Sequence, residues 1–271
     1  MSRFAGRAGL VVAALVALIG AAALALWVSL PDVSGLASRA PRTTALVEQR
    51  RLEARRAGRA FDPELRPVPL DRISRRLAEA VVLAEDASFF GHSGFDWREI
   101  RDAAEQNLRA GRTVRGASTI TQQLAKNLYL GTERSYARKV KEAILAMKLE
   151  RTLSKRRILA LYLNAVEWGP GVFGAEAASR HWFGISASEL DASQAAVLAA
   201  MLPAPRRASL APTPPWLARR ARKVLGLLRQ TGKVDDEEYV QAASDLERLL
   251  GAPPSSGEEE PPEDAGDPSS P

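Results

Sequence analysis

Three runs of the sequence decide the fold: "VLAEDASFFGHSGFDW" (82–97), "RGASTITQQLAKNLYL" (115–130) and "RKVKEAILAMKLERTLSKRRILALYLN" (138–164). Apolar residues recur in them at spacings of three and four, which is the period of a helix that buries one face. Convincing strand-type alternation is absent from the sequence. The pattern therefore predicts a bundle of short helices, and we predict an all-α domain.

Polar residues mark where these helices begin. Asp71 is predicted to cap a helix that carries Ile73, Leu77, Val81 and Ala84. Later helices are predicted to follow Asp96, the small residues before Ile120, Ser135 and Ser154, and further ones to span 188–201, 215–230 and 235–250.

Glu85 and Asp86 fall at the C-terminal end of the first of these helices. The helix macrodipole is negative there, so acidic groups in that position indicate a function. A surface Glu-Asp pair is the alternative. For His92, in the following loop, a role in holding the backbone is favoured over a role as general base.

Amide side chains cluster on the helix of the second run. Gln123, Lys126 and Asn127 lie at i, i+3 and i+4, with Gln122 adjoining. Exposed faces elsewhere use Arg, Glu and Asp, so this row indicates hydrogen bonding to sugar or phosphate. In the third run Arg138 and Lys139 lie one turn before Glu142, a spacing that more often gives ordinary surface ion pairs.

The composition favours anionic partners. The net charge is +6, but the tail 251–271 has six acidic residues and no basic one, so the rest of the chain carries about +12. Nucleic acid, phospholipid head groups and phosphorylated substrates suit such a body. The absence of cysteine excludes disulfides and zinc–thiolate sites.

The N-terminal segment predicts a membrane anchor. Residues 10–30 are almost entirely apolar, and about 20 such residues span a bilayer core. Arg3 and Arg7 precede the run, which keeps residues 1–9 in the cytoplasm and sends the remainder across. A cleaved signal peptide is the alternative, although its apolar region is usually shorter. Residues 31–69 are interpreted as a basic juxtamembrane linker, in which 48–59 could form an exposed helix, although a solvated segment on lipid head groups is favoured. Residues 251–271 are interpreted as a disordered tail.

Five motifs carry a family resemblance: "EDASFFGHSGFD", "GASTITQQLAKN", "RKVKE", "KRRILALYLN" and "GVFGAEAASRHWFG". In this order they resemble the motifs of the peptidoglycan glycosyltransferases of family GT51. The resemblance implies a lysozyme-like helical domain over 70–250 behind a single transmembrane helix. Neither Ser-x-x-Lys nor Lys-Thr-Gly occurs, so a monofunctional enzyme without a transpeptidase domain is expected.

Members of that family polymerise lipid II into β-1,4 glycan strands on the outer face of the inner (cytoplasmic) membrane, with inversion and release of undecaprenyl pyrophosphate. The resemblance assigns Glu85 as catalytic base and Glu142 as the second catalytic carboxylate. Its substrate-binding positions are Lys126, Arg134, Arg138 and Lys139 for the pyrophosphate, and Ser118, Gln122, Gln123 and Asn127 for the donor. It requires no cofactor or protein metal site and leaves room for a divalent cation at the pyrophosphate. Expected partners are lipid II, the growing glycan strand, membrane lipids and other proteins of wall synthesis or division.

Rival functions remain at this point. A lytic glycan-cleaving enzyme could use a glutamate on the same fold, but it has no need of a cation cluster. A non-catalytic membrane-tethered scaffold would not need Glu85 or Glu142. Nucleic-acid binding fits the charge but not the predicted export. The G-x-G-x-x-G spacing at 169–174 follows a helical run rather than a strand, so we interpret it as a structural turn and not as a dinucleotide site.

Overall fold

The computed structural model describes residues 14, 17–18, 20–21, 24–61, 63, 65–112, 116–132 and 135–251. Nine of the 21 residues of the predicted anchor (10–13, 15–16, 19 and 22–23), together with Arg134 and the tail beyond Gly251, lie outside these residues. Within them, no helix is long and apolar enough to cross a membrane.

Helices make up most of the described chain. They are α1 (Ala45–Arg56), α2 (Arg75–Glu85), α3 (Trp97–Ala110), α4 (Ile120–Tyr129), α5 (Tyr136–Thr152), α6 (Lys155–Ala165), α7 (Ala175–Phe183), α8 (Ala192–Met201), α9 (Pro215–Gln230) and α10 (Asp236–Leu250). Short 3-10 helices cover Ser34–Ala37, Leu70–Arg72, Phe89–Gly91 and Pro205–Arg207.

The helix starts follow their capping residues. Asp96 accepts hydrogen bonds from the first-turn amides of α3, and Thr119, Ser135 and Ser154 cap α4, α5 and α6 in the same way, as predicted. The prediction for Asp71 is wrong, because that residue lies in a 3-10 turn and the Ser74 hydroxyl caps α2 instead. The helix predicted from residue 188 begins only at Ala192, because Asp191 and Gln194 form a capping box there.

One antiparallel hairpin qualifies the all-α prediction. Strand β1 (Glu167–Gly169) pairs with β2 (Val172–Phe173), in the region of the G-x-G-x-x-G spacing. Strands of three and two residues are too short to show alternation in the sequence. Gly174 has φ +85°, and a Cβ there would lie 2.9 Å from the carbonyl oxygen of Asn164, so this glycine is needed for the turn into α7.

Two groups of helices form the core. Helix α8 is buried on nearly every side and packs against α2, α9 and α10. Helix α4 packs against α1, α5 and α6. Apolar residues of both groups belong to one continuous core, with Leu77, Leu124, Leu145 and Leu198 all fully buried. The backbone amide of Ile120 donates to Asp86 at 3.0 Å, so the C-terminal end of α2 and the N-terminal end of α4 lie close together.

Part of the predicted juxtamembrane linker is structured. Helix α1 buries Leu46 and Val47 and packs against α4, so the helix that the sequence allowed at 48–59 describes this segment better than the favoured solvated linker. The Arg50 guanidinium lies 3.0 Å from a carboxylate oxygen of the buried Glu167, which ties α1 to the hairpin. Three buried apolar residues, Leu46, Val47 and Ala54, and this long-range ion pair help to dock a helix whose overall composition is strongly polar.

Candidate active site

Glu85 is the last residue of α2, and its side chain is only 10% exposed. One carboxylate oxygen accepts a hydrogen bond of 2.9 Å from the Gln123 amide nitrogen on α4. The other lies 3.1 Å from the Arg220 guanidinium on α9, which also donates to the Ala84 carbonyl. The surface-pair alternative is therefore wrong for Glu85: the carboxylate is recessed and held from two sides.

Tyr162 of α6 fixes the orientation of the Gln123 amide. Its hydroxyl is fully buried and donates to the Gln123 carbonyl oxygen at 2.9 Å, which leaves the amide nitrogen facing Glu85. Burial, and next the negative charge of Glu85, raise the pKa of Tyr162 well above its usual value. The hydroxyl therefore stays protonated and keeps donating across the physiological range of pH.

Asp86 shapes the loop beside Glu85. Its carboxylate is buried and accepts hydrogen bonds from the His92 ring at 2.9 Å and from the backbone amide of Ile120 at 3.0 Å. The other His92 ring nitrogen accepts from the Gly94 amide at 3.1 Å, so the nitrogen facing Asp86 carries the proton. His92 holds the backbone, as the sequence indicated, and Asp86 binds this loop to the start of α4.

A second carboxylate, Glu142 of α5, lies in a cluster of cations. Its side chain is 3% exposed, and its two oxygens accept from Arg138 at 2.7 Å and from Lys139 at 2.5 Å. Lys139 also lies 3.2 Å from the Ser118 hydroxyl, and its side chain is half exposed. A buried carboxylate between two cations is not an ordinary surface pair, because its charge is desolvated and directs both cations.

The two carboxylate clusters meet the same end of α4. Ser118 directly precedes the N-cap Thr119. Gln123 is the fourth residue of the helix and lies about 6 Å beyond Thr119 along the axis, at 1.5 Å per residue. Contacts through Gln123 reach Glu85, and the contact through Ser118 reaches Lys139 and Glu142. The arrangement offers a fixed carboxylate as a base near cations that can stabilise an anionic leaving group.

Comparison with known proteins agrees with this chemistry. The family model described as Transglycosylase matches residues 54–229, well over half of the chain. The chain belongs to the transglycosylase family. The family predicted from the five motifs is thereby confirmed, and so is the prediction that the chain is a glycosyltransferase enzyme of peptidoglycan synthesis.

Curated proteins are similar to this transglycosylase over most of their own length. A biosynthetic peptidoglycan transglycosylase of Nitrosospira multiformis is 46% identical over 186 residues, which cover 69% of this chain and 81% of the relative. Proteins of the same name from Aromatoleum aromaticum and Laribacter hongkongensis are each 52% identical, over 171 and 168 residues. These cover 62% and 61% of this chain and, in both cases, 73% of the relative.

The other residues predicted for the site of the transglycosylase differ in their burial and in their hydrogen-bond partners. The Gln122 side chain accepts from the Thr119 amide in the capping box of α4 and is buried there. Asn127 is also buried, whereas Lys126 is partly exposed. Arg134 lies outside the described residues. In the part of the chain that the structure describes, no three His, Asp or Glu side chains are grouped so that they could hold a metal ion.

Arg220 was missed by the motif reasoning. It lies on α9, far along the chain from Glu85, between the buried residues Leu217 at i−3 and Val224 at i+4. A charged residue on the core-facing side of an amphipathic helix is the signal that could have identified it. Its partner could not be deduced from the sequence, because 135 residues separate Arg220 from Glu85.

Proposed function

We propose that this transglycosylase polymerises lipid II into β-1,4 glycan strands, with Glu85 as the base that deprotonates the acceptor. The observation that carries the proposal is the fixing of the Glu85 carboxylate by Gln123 and Arg220 at the end of α4 that also meets the Glu142 cluster. A base held in place before the reaction loses little free energy on orientation during it.

The proposed step transfers one proton and exchanges one bond. Glu85 takes the proton of the acceptor's GlcNAc 4-hydroxyl as that oxygen attacks the anomeric carbon of the donor chain. The bond from this carbon to the pyrophosphate oxygen breaks, and its electron pair leaves with undecaprenyl pyrophosphate. Attack from the face opposite the α-linked pyrophosphate gives a β bond, which is inversion.

The cations around Glu142 are proposed to hold the leaving pyrophosphate. Lys139 is half exposed and Arg138 is 18% exposed, so both side chains combine a fixed position with access to a substrate. Glu142 keeps the two cations in place, and Lys126 and Arg134 are proposed to contribute further positive charge to the pyrophosphate. The charge that develops on the leaving oxygen then meets preorganised positive groups rather than water.

We propose that residues 10–30 anchor the enzyme in the inner membrane, with the catalytic domain on its outer face. The Lys148 amine on α5 donates to the Leu30 carbonyl at 2.9 Å and lies 5.3 Å from the centre of the Trp27 ring. These contacts support the proposal, because they hold the end of the apolar run against the catalytic domain. A lipid-linked substrate would then meet the site close to the membrane surface.

The test is polymerisation of labelled lipid II by the full chain in detergent, with Glu85→Gln and a matched control. Glu79→Gln is the control, because Glu79 lies on the same helix in ion pairs with Arg75 and Arg76 that do not involve Glu85. We expect no long strands from E85Q and near-normal strands from E79Q, with both proteins folded. Normal polymer from E85Q would refute the role of Glu85, and shortening of preformed glycan by the wild type would favour the lytic alternative.

A further inference from the structure

A cavity of about 170 Å³ lies between α6 and two segments of the chain near its N-terminal end, 40–44 and 65–69. Its residues on α6 recur at i, i+3, i+4, i+7 and i+8, which is one face of a helix: Arg157, Ala160, Leu161, Asn164 and Ala165. Tyr162, which donates to Gln123 in the active site, lies on a different face of the same helix. The cavity is therefore separate from the site around Glu85.

We propose that this cavity binds one phospholipid molecule, with part of an acyl chain among its apolar side chains and the phosphate on the Arg157 guanidinium. The proposal goes beyond the polymerisation of lipid II. Its choice of a membrane lipid as the ligand rests on the proposed anchoring by residues 10–30.

The lining and the size of the cavity suit an acyl chain. Leu65, Val68 and Leu161 line it together with three prolines, and no acidic side chain is among the lining residues that the structure describes. Sites for whole drug-sized molecules measure about 300–1,000 Å³, so this cavity holds only part of a ligand. A chain that enters from a bilayer meets this limit, because the rest of the lipid stays outside.

Arg157 is the polar group of the lining that lacks an acceptor. The Asn164 side chain is bonded to backbone, accepting from the Val68 amide and donating to two carbonyls, and the Thr44 hydroxyl caps α1. The Nη2 atom of Arg157, by contrast, is buried and has no hydrogen-bond partner. A buried donor of a charged group is costly to leave unpaired, and a phosphate oxygen is the acceptor that a guanidinium binds most strongly.

The position of Arg157 favours a lipid as the source of that phosphate. Its Nε atom donates to the Leu36 carbonyl at 2.7 Å, and Lys148 holds the carbonyl of Leu30 at 2.9 Å. Leu36 is six residues beyond the end of the proposed anchor, which is at most about 22 Å even for a fully extended chain. Phospholipid head groups are therefore within reach of the cavity in the anchored enzyme.

The test is the binding of dioleoyl phosphatidylglycerol to the full chain in detergent, measured by native mass spectrometry for the wild type, Arg157→Gln and Arg156→Gln. Arg156 is the matched control, since it is an exposed arginine of the same helical turn and does not line the cavity. We expect the wild type and R156Q to retain one phosphatidylglycerol about 10-fold or more tightly than R157Q does, because R157Q loses a charge-assisted hydrogen bond to phosphate.

Two other ligands separate the parts of the proposed interaction. Dioleoylglycerol has the same chains without a phosphate and should bind the wild type about 10-fold or more weakly than phosphatidylglycerol. Inorganic phosphate has no chain and should not displace the lipid.

Ala40→Leu keeps the test decisive even if R157Q fails to fold. Ala40 lines the cavity from the segment before α1 and is partly buried, so a larger side chain there fills part of the cavity without changing α6. We expect A40L to retain phosphatidylglycerol about 10-fold less tightly than the wild type.

Retention at the wild-type level by folded R157Q or A40L would overturn the proposal. Dioleoylglycerol that binds as tightly as phosphatidylglycerol, displacement by inorganic phosphate, or a loss in R156Q equal to that in R157Q would also overturn it. Polymerisation of lipid II in detergent by R157Q should stay within about twofold of the wild type, because Arg157 and the active site lie on different faces of α6. Failure of the lipid site would thus leave polymerisation intact, whereas an active E85Q would overturn the proposed base without affecting lipid retention.

Discussion

Replacing Tyr162 with phenylalanine removes one buried hydroxyl and leaves the ring in place. The hydroxyl donates to the Gln123 carbonyl oxygen at 2.9 Å, and the Gln123 nitrogen donates to Glu85 at the same distance. Without the hydroxyl, the amide oxygen is left without this donor and the amide can turn over, presenting its oxygen to the carboxylate. Tyr162→Phe should therefore disturb Glu85 without touching it.

The expected changes in kcat/KM and in stability follow from the Tyr162–Gln123 and Gln123–Glu85 hydrogen bonds that the substitution removes or weakens. A hydrogen bond to a charged group contributes about 1.5–3 kcal/mol, which corresponds to roughly a 10- to 150-fold change in rate if it is lost in the transition state. We expect kcat/KM to fall by about 10- to 100-fold, since some molecules keep the productive amide orientation. The loss of one buried hydrogen bond should cost about 1 kcal/mol of stability and lower Tm by roughly 2–4 °C.

The assay is the initial rate of lipid II consumption, measured beside thermal unfolding, with Tyr129→Phe as the control. Tyr129 is a half-buried tyrosine of α4 outside the Tyr162–Gln123–Glu85 chain of hydrogen bonds, so its substitution should change the rate by less than about twofold. In an enzyme that already carries Gln123→Ala, adding Y162F should not lower kcat/KM further, because both residues act on Glu85 through the same chain of hydrogen bonds. Wild-type kinetics in a folded Y162F protein would refute the reasoning.

Three other changes test separate parts of the account. Lys139→Met should raise KM for the donor by roughly 10-fold, because one of the two cations proposed to hold the pyrophosphate is lost; an unchanged KM would contradict this. Asp86→Ala should lower the free energy of unfolding by about 3 kcal/mol in urea titrations, since two buried donors lose their acceptor, and a loss below 1 kcal/mol would contradict it. Asp96→Ala should cost about 1 kcal/mol at pH 7 through the lost cap of α3. The Ser88 hydroxyl, which donates to Asp96, lowers the pKa of that carboxyl, so the stability difference from the wild type should be full above its usual pKa and shrink as the pH falls through the lower folded value. A difference that grows towards acidic pH would contradict this assignment.

Local signals in the sequence were enough for most of the helical framework. The caps Asp96, Ser135 and Ser154 were predicted correctly, and so was a cap among the small residues before Ile120, which is Thr119, because a hydroxyl or carboxylate at the N-cap satisfies amides two or three residues away. Asp71 was misassigned because Ser74, three residues later, offers the same chemistry. Where two capping residues compete, the tertiary packing decides, and the sequence pattern alone does not contain it.

Long-range partners account for what was not predicted. Helix α1 docks through Leu46, Val47 and the pair Arg50–Glu167, whose members are 117 residues apart. Arg220 reaches Glu85 across a similar distance in the chain. Periodicity reports which face of a helix is apolar, but it does not report which other helix covers that face.

The site was predicted as a set of residues rather than as a geometry. The motifs named five residues that the structure gathers around one end of α4: Glu85, Gln123, Glu142, Arg138 and Lys139. The sequence did not show which contacts each of these residues makes. The structure directs the Gln123 amide to Glu85 and the Gln122 amide to the helix cap, so two adjacent glutamines have different contacts.

The central claim is that Glu85 removes the proton of the acceptor hydroxyl. The most direct measurement is a crystal structure of the E85Q protein with an acceptor glycan and a lipid II donor bound together. If Glu85 is the base, the acceptor 4-hydroxyl should lie within about 2.6–3.2 Å of the side chain at position 85, with the donor pyrophosphate against Arg138 and Lys139. A 4-hydroxyl that instead meets Glu142, or that lies beyond the reach of position 85 even through one water molecule, would contradict it.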